Sequence, residues 1–325
     1  MLTKSVHYTP LSCGSTPRNR SIKEYLKYSV VNLDKPVNPS SHEVVSWIKR
    51  IVGCEKTGHG GTLDPQVSGT LLVCIDRATR LTKSMQSEGK TYICTITFSS
   101  PVQLADFRKV AETLTGKVLQ RPPLMSAVKR QLRVREIYST EVIEQHENDI
   151  LFLVSCEAGT YIRTLCVHMG LLLGVQAQMK DLRRVRSGHF TEDSSVTMHD
   201  ILDSIYLLKT RGDESVVRKV FQPLEVLLRG HKRVMVKDSC VGALCAGAQL
   251  TINGVVKYDR EIEIGDEIVL ITTKGEAVAL AAAKISSAEI GILEHGIVCK
   301  TKRVIMDKGV YPETWGFKKT FEVEE

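Results

Sequence analysis

The sequence predicts an α+β chain in two parts, and two observations predict it. Over 29–228, short aliphatic and β-branched runs alternate with amphipathic stretches that carry helix caps. Beyond Leu228 the helical period fades, and short apolar runs are punctuated by Gly247, Gly254, Gly265 and Gly275. A chain of 325 residues with 42% hydrophobic content has enough apolar material for one large and one smaller core. The boundaries read as an arm over 1–28, a main domain over 29–228, a small all-β barrel or sandwich over 229–308 and a tail over 309–325.

The arm is polar and basic, with Pro10, Pro17, Arg18 and Arg20, and suits a segment laid on a surface. Residues 29–33 read as a strand, which Asp34-Lys35-Pro36 breaks. Ser40 and Glu43 have capping-box spacing, Val44, Trp47, Ile48, Ile51 and Val52 follow at helical intervals, and Gly53 ends the helix. Trp47 and Ile48 are expected in the core. The runs 70–75 and 150–156 are continuously apolar, as buried strands require. The run 91–98 has strand composition, while 105–115, 161–173 and 197–208 read as helices. Late in the chain, 268–271, a Thr-Thr-Lys-Gly loop and 276–280 form a hairpin pattern. Trp315 is the expected anchor of the tail.

The densest chemical signal is 56–69, KTGHGGTLDPQVSG. Gly58, Gly60 and Gly61 allow sharp bends and close approach of a flat ligand. Asp64-Pro65 fixes the chain just after a carboxylate. An acid on a stiff loop suits a nucleophile or general base, although the same residues also build surface turns. Asp76 offers a second carboxylate or, more simply, a helix N-cap.

Two basic clusters stand out: Arg121, Lys129, Arg130, Arg133 and Arg135, and then Leu182-Arg183-Arg184-Val185-Arg186. With a net charge of +7 they fit either solvated loops or contacts to a phosphate-bearing partner. Arg163 falls in the first turn of a predicted helix, where its charge opposes the macrodipole and calls for an anionic partner. The 9 cysteines are scattered without a CxxC pair, which reads as buried apolar side chains in a reducing compartment. No HExxH, GxxxxGK[ST], long apolar run or apolar N-terminal leader occurs, so a soluble intracellular protein is expected.

Taken together, the stretches 30–51, 58–69, 120–138, 156–175, 182–188 and 231–238 resemble the dyskerin branch of the TruB-type pseudouridine synthases, in the same order and over nearly the whole chain. The resemblance implies a mixed-sheet catalytic domain followed by a PUA-like RNA-binding pseudobarrel, with the N-terminal arm packed against the latter. It implies isomerisation of uridine to pseudouridine in RNA, without metal or other cofactor. Asp64 matches the essential aspartate, as nucleophile or as base toward the ribose. Arg163 matches its guanidinium partner and Tyr92 the tyrosine that stacks on the everted base.

Among substrate-binding positions the resemblance places His59, Leu182, Lys35 and Lys90, with Leu182 in the pocket wall and His59 filling the gap in the RNA stack. Among RNA-binding positions it places Lys129, Arg130, Arg183, Arg184 and Lys237. The implied partners are a box H/ACA guide RNA, substrate ribosomal RNA and three small accessory proteins, in a nucleolar particle that serves ribosome biogenesis and, in some members, telomerase RNA. Gly60, Gln66 and Thr70 depart from the residues expected in this branch, and the long lysine-rich tails of animal and fungal members are missing. A guide-independent transfer-RNA pseudouridine synthase and a non-catalytic assembly scaffold are the alternatives.

Overall fold

A computed structural model describes residues 1–123 and 129–313 and divides the chain into two compact units, Val30–Gln222 and Met1–Ser29 with Pro223–Glu325. Trp315 and part of the 121–135 basic segment lie outside the described residues.

The first unit is organised by a mixed sheet. Its strands are β1 (Ser29–Lys35), β2 (Thr57–His59), β3 (Ser68–Ile75), β4 (Lys90–Phe98), β5 (Gly116–Gln120), β6 (Arg133–His146), β7 (Asp149–Cys156) and β8 (Ala177–Ser187). Their spatial order is β1-β3-β8-β4-β7-β6-β5, and β2 pairs with β3. The β3–β8 contact is parallel, and the other neighbours on this path are antiparallel. β3 is buried from Gly69 to Ile75, which is why its sequence is a continuous apolar run rather than an alternating one. β7 alternates strictly between buried and half-buried residues, as expected for a strand with one covered face.

Helix α1 (Ser41–Val52) is enclosed by the predicted signals. Ser40 and Glu43 form a complete capping box, and Gly53 is left-handed at φ 75°. The helix buries Val44, Val45 and Ile48. Trp47, expected in the core, is 40% exposed. At about 100° per residue it lies roughly 100° from the centre of that stripe. Helix α2 (Leu104–Thr113) buries Phe107 and Ala111 and packs on α3 (Ile162–Leu173), which in turn packs on β8. Helix α4 (Met198–Arg211) starts with a second capping box, Thr197 with Asp200, and packs on α1.

The second unit holds a seven-stranded mixed sheet. Its principal strands are β9 (Lys232–Val236), β10 (Val255–Tyr258), β11 (Glu267–Ile271), β12 (Ala277–Ala283) and β13 (Ile297–Val304). β11 and β12 form the predicted hairpin. The purely β reading of this part needs correction, because α5 (Asp238–Cys245) and a short helix at Ser287–Ile292 are built into it. α5 was hidden by its composition: six of its eight residues, DSCVGALC, are buried, so no polar face marks a helical period.

The N-terminal segment belongs to this unit. Leu2 and Thr3 pair with Tyr258 and Lys257, Leu11 N donates to Asp238 Oδ2 at 2.9 Å, and Lys274 Nζ donates to the carbonyls of Cys13 and Gly14. Seven of the cysteines are buried, and all are free thiols. No helix among the described residues is long and apolar enough to cross a membrane.

Candidate active site

The loop after β2 is held on both sides of Asp64. On one side, Ser41 at the start of α1 clamps Leu63, whose N donates to Ser41 Oγ at 2.8 Å while that hydroxyl donates to Leu63 O at 2.9 Å. On the other, Pro65 O accepts from Asn38 N at 2.9 Å and from Lys35 Nζ at 3.2 Å. Lys35 Nζ also donates to Pro36 O and Pro39 O, at 2.7 and 2.8 Å.

Lys35 is therefore corrected as a substrate-binding residue: it is fully buried and satisfied by carbonyls of the chain itself. Burial lowers its pKa, and the nearby Asp64 charge opposes that shift. Three backbone acceptors explain how a buried ammonium is tolerated here. With its neighbours thus fixed, Asp64 is presented as a half-open carboxylate on a braced loop.

Arg163 sits in the first turn of α3 and meets Asp64, Nη2 to Oδ2, at 2.9 Å. The start of that helix is fixed by Gln120 of β5. Gln120 Oε1 accepts from Tyr161 N at 2.9 Å and Gln120 Nε2 donates to Tyr161 O at 3.2 Å. The pair opens onto a cavity of about 520 Å³, whose lining includes Tyr92, Lys90, Leu182 and Arg184. This volume is in the range of small-molecule and nucleotide-sized sites. A larger hollow of about 760 Å³ near Phe98, Val167 and Leu171 has no ionisable side chain in its lining and offers no acid or base.

Strand alternation decides which residues reach the cavity. Lys90 and Tyr92 are two apart on β4 and share a face. A bulge between Thr91 and Tyr92 sets Tyr92 opposite Arg184 and Cys94 opposite Leu182 on β8. Arg184 and Leu182 thus point inward together, while Arg183 between them points away.

Both arginines require correction as phosphate contacts. Arg184 is 1% exposed, and its guanidinium donates to Thr70 O at 2.7 Å and Gly61 O at 3.0 Å. Arg183 is bound by both Asp34 oxygens, at 2.9 and 3.0 Å, and by Glu192 at 2.8 Å. The parallel β3–β8 contact that seats Arg184 needs Gly69: its φ is 103°, and a Cβ there would collide with the Arg184 carbonyl. Of the three loop glycines, Gly61 lines the cavity, whereas Gly58 and Gly60 pack against Thr82, Met85 and Leu72.

Electrostatics separate the remaining groups. Burial raises the Tyr92 pKa, so the phenol keeps its proton at neutral pH, although the adjacent Arg184 pulls the other way. Lys90 is 5% exposed and donates to Met85 O at 3.0 Å and Glu88 O at 2.6 Å. Burial, reinforced by Arg184, lowers its pKa to about 8. His59 is held to Thr62 Oγ1 at 3.0 Å and meets the His42 ring edge-on at 5.3 Å. Burial lowers its pKa, and His42 and Arg184 add to the effect.

Asp76 is neither a cap nor a second catalytic acid. It adopts φ 38°, and its Oδ1 accepts from Lys56 N at 2.8 Å. Lys129 and Arg130 are exposed, and Arg130 Nε donates to Pro122 O at 3.1 Å. In the other unit, Lys237 is half-exposed immediately before α5. Ser41, Gln120 and Gln86 were missed from sequence. Ser41 and Gln120 act through contacts to distant backbone, which no local pattern announces. Gln86 lines the cavity and donates to His59 O at 3.1 Å from a stretch with no motif of its own.

Family models match in four successive blocks: a DKCLD (NUC011) domain over 1–45, the N-terminal domain of TruB family pseudouridylate synthases over 49–162, the C-terminal domain of tRNA pseudouridylate synthase B over 163–229, and a PUA domain over 232–305. The chain is 54% identical over 336 residues to the H/ACA ribonucleoprotein complex subunit cbf5 of Schizosaccharomyces pombe, covering 100% of this chain and 70% of the relative. The chain in a solved H/ACA RNP bound to a substrate RNA containing 2′-deoxyuridine superposes with a TM-score of 0.88 at 40% identity, covering 97% of this chain and 96% of that one. A chain of a Cbf5-Nop10-Gar1 complex gives 0.87 at 42% identity, with 96% of each covered.

Proposed function

Because the chain belongs to the H/ACA-subunit branch of the TruB family pseudouridylate synthases, we propose that it isomerises uridine to pseudouridine in ribosomal RNA, at sites chosen by a bound box H/ACA guide RNA. The observation that carries this reading is the 2.9 Å Asp64–Arg163 pair on a cavity of about 520 Å³ lined by Tyr92 and Leu182. Nop10- and Gar1-type proteins, with a third small accessory protein, complete the particle, and the nucleolus is its place of work. The PUA domain holds the guide RNA, and Lys237 contributes to that surface. Lys129 and Arg130 contact the RNA backbone.

The chemistry follows from the geometry. A uridine stacked in RNA hides its glycosidic bond, so it is everted at a cost of a few kcal/mol. Stacking on Tyr92 offsets about 1–3 kcal/mol of that cost, and His59 occupies the space left in the RNA. Asp64, oriented by Arg163, attacks the sugar or removes a ribose proton. The bond from C1′ to N1 breaks, the uracil turns within the cavity, and C1′ joins C5. C5 loses its proton and N1 gains one, so the product is an isomer of the reactant. Leu182 supplies an apolar wall against which the base turns, and Lys90 keeps the 85–88 turn closed behind it.

Release of tritium from C5-labelled uridine in a guide-complementary transcript tests the reading. Release that needs guide RNA and accessory proteins supports it. Release from bare transfer RNA supports a guide-independent enzyme instead, and none under any condition supports a scaffold.

A further inference from the structure

The helix end that carries Arg163 lacks the usual local supports. Tyr161, the N-cap residue of α3, makes no side-chain capping bond, and the first turn holds no acidic residue. A guanidinium at that end also opposes the helix dipole. Left to local forces, the first turn would fray. Yet Gly159 to Arg163 form a continuous stretch of the cavity wall, and Arg163 Nη2 stands 2.9 Å from Asp64 Oδ2.

The missing support comes from the end of β5. Gln120 is 1% exposed and lies outside the cavity lining. Both ends of its carboxamide go to one residue: Oε1 accepts from Tyr161 N at 2.9 Å, and Nε2 donates to Tyr161 O at 3.2 Å. A carboxamide carries an acceptor and a donor on one planar group, which matches the N–H and C=O of a single extended residue such as Tyr161. The same carbonyl accepts the first helical bond, from Leu165 N at 3.0 Å. The next residue, Arg121, accepts from Thr164 Oγ1 at its carbonyl, at 3.2 Å. Two consecutive residues at the end of one strand thus grip the helix on both sides of Arg163. Gln120 is in turn fixed by its register with Arg133 of β6.

We propose that Gln120 is a positioning residue for the isomerisation: it sets Arg163, and through it Asp64, without touching the substrate. The proposal rests on the RNA-isomerisation reading and deepens it by assigning the support that keeps the acid's guanidinium partner in place. A misplacement of about 1 Å in a group that orients a reacting atom costs up to about 100-fold in rate. Loss of this grip therefore falls on kcat and not on RNA affinity. A carboxamide that served only the fold would change stability and leave the reaction alone, and the kinetics separate the two roles.

The test uses the full chain assembled with guide RNA and accessory proteins, and reads kcat, KM and thermal unfolding together. Gln120→Leu lowers kcat by about 10-fold, with KM and guide binding close to those of the original. In a chain that already carries Arg163→Gln, the same substitution costs little further, because both changes act on one guanidinium. Gln120→Glu keeps the acceptor and, while protonated, a donor. Its rate relative to the original is therefore highest at low pH and falls as the carboxyl ionises and repels the Tyr161 carbonyl. Thr164→Val removes the second, single clasp and lowers kcat by about threefold. Where Gln120→Leu does not fold, Gln120→Glu and Thr164→Val decide the question. A Gln120→Leu chain as fast as the original, losses that multiply in the Arg163→Gln background, or a Gln120→Glu rate ratio that is flat with pH overturn the proposal. A chain that converts no substrate before any substitution overturns the RNA reading itself.

Discussion

Two guanidinium–carboxylate pairs in this molecule share a chemistry and differ in use. In the unit that holds the N-terminal segment, Arg20 binds Glu225 through two hydrogen bonds of 3.0 and 2.6 Å. Glu225 Oε1 also accepts from Ala277 N at 3.0 Å, and the Arg20 guanidinium lies 4.8 Å from the centre of the Tyr28 ring. The pair is 5% and 16% exposed. In the other unit, Asp64 meets Arg163 at 2.9 Å and remains 48% exposed on a cavity. The first carboxylate has both oxygens taken by the chain and serves to hold it. The second is oriented by a cation yet keeps a free face, as a reacting group requires.

The sharpest way to break this comparison is to neutralise the open carboxylate. Asp64→Asn should reduce single-turnover conversion by about 10⁴-fold or more, with guide binding and thermal unfolding close to those of the original chain. Loss of the fold instead would make Asp64 structural, like Glu225. Next in size, Arg163→Gln should cost about 10²–10³-fold in turnover, with a smaller loss in Arg163→Lys. Unchanged turnover would mean that the guanidinium does not orient the acid.

The closed pair should answer in stability, not rate. Arg20→Ala leaves the largely enclosed Glu225 without its cation and should cost about 3 kcal/mol, read by denaturant unfolding. Turnover at a temperature where the fold persists should be unaffected.

The smallest effect is a pH dependence at Lys90. Its pKa is about 8 in the folded chain against an ordinary 10.5. The unfolded chain therefore holds this proton more tightly, and stability contributed by Lys90 should rise as pH climbs from about 8 to 10.5. Lys90→Met should flatten that segment of the stability curve. A directly measured lysine titration near 10.5 would refute the assignment.

Much of the main fold is legible in the sequence because its signals are local. The Ser40–Glu43 and Thr197–Asp200 boxes, the left-handed Gly53 and the continuous run of β3 each need only near neighbours to act. Asp64 and Arg163 stood out individually for similar reasons, one by its proline and glycines, the other by a charge at the wrong end of a helix. The basic clusters misled because charge counts carry no direction. Arg183 and Arg184 are adjacent in sequence, but strand alternation sends one to Asp34 and Glu192 and the other into the protein interior. α5 escaped because a helix buried on nearly every side has no hydrophobic period.

The sequence by itself determined where the capped helices of the main unit begin and end, which of its strands are buried, and that an acid would sit on a stiff loop, since each depends on bonds and sterics within a few residues. Tertiary structure alone decided that Arg163 reaches Asp64, that Lys35 and Arg184 serve backbone carbonyls, and that Gln120 grips the backbone at Tyr161. Those outcomes follow from strand register and helix packing, which bring distant segments within a few ångströms and fix which partner each buried charge finds.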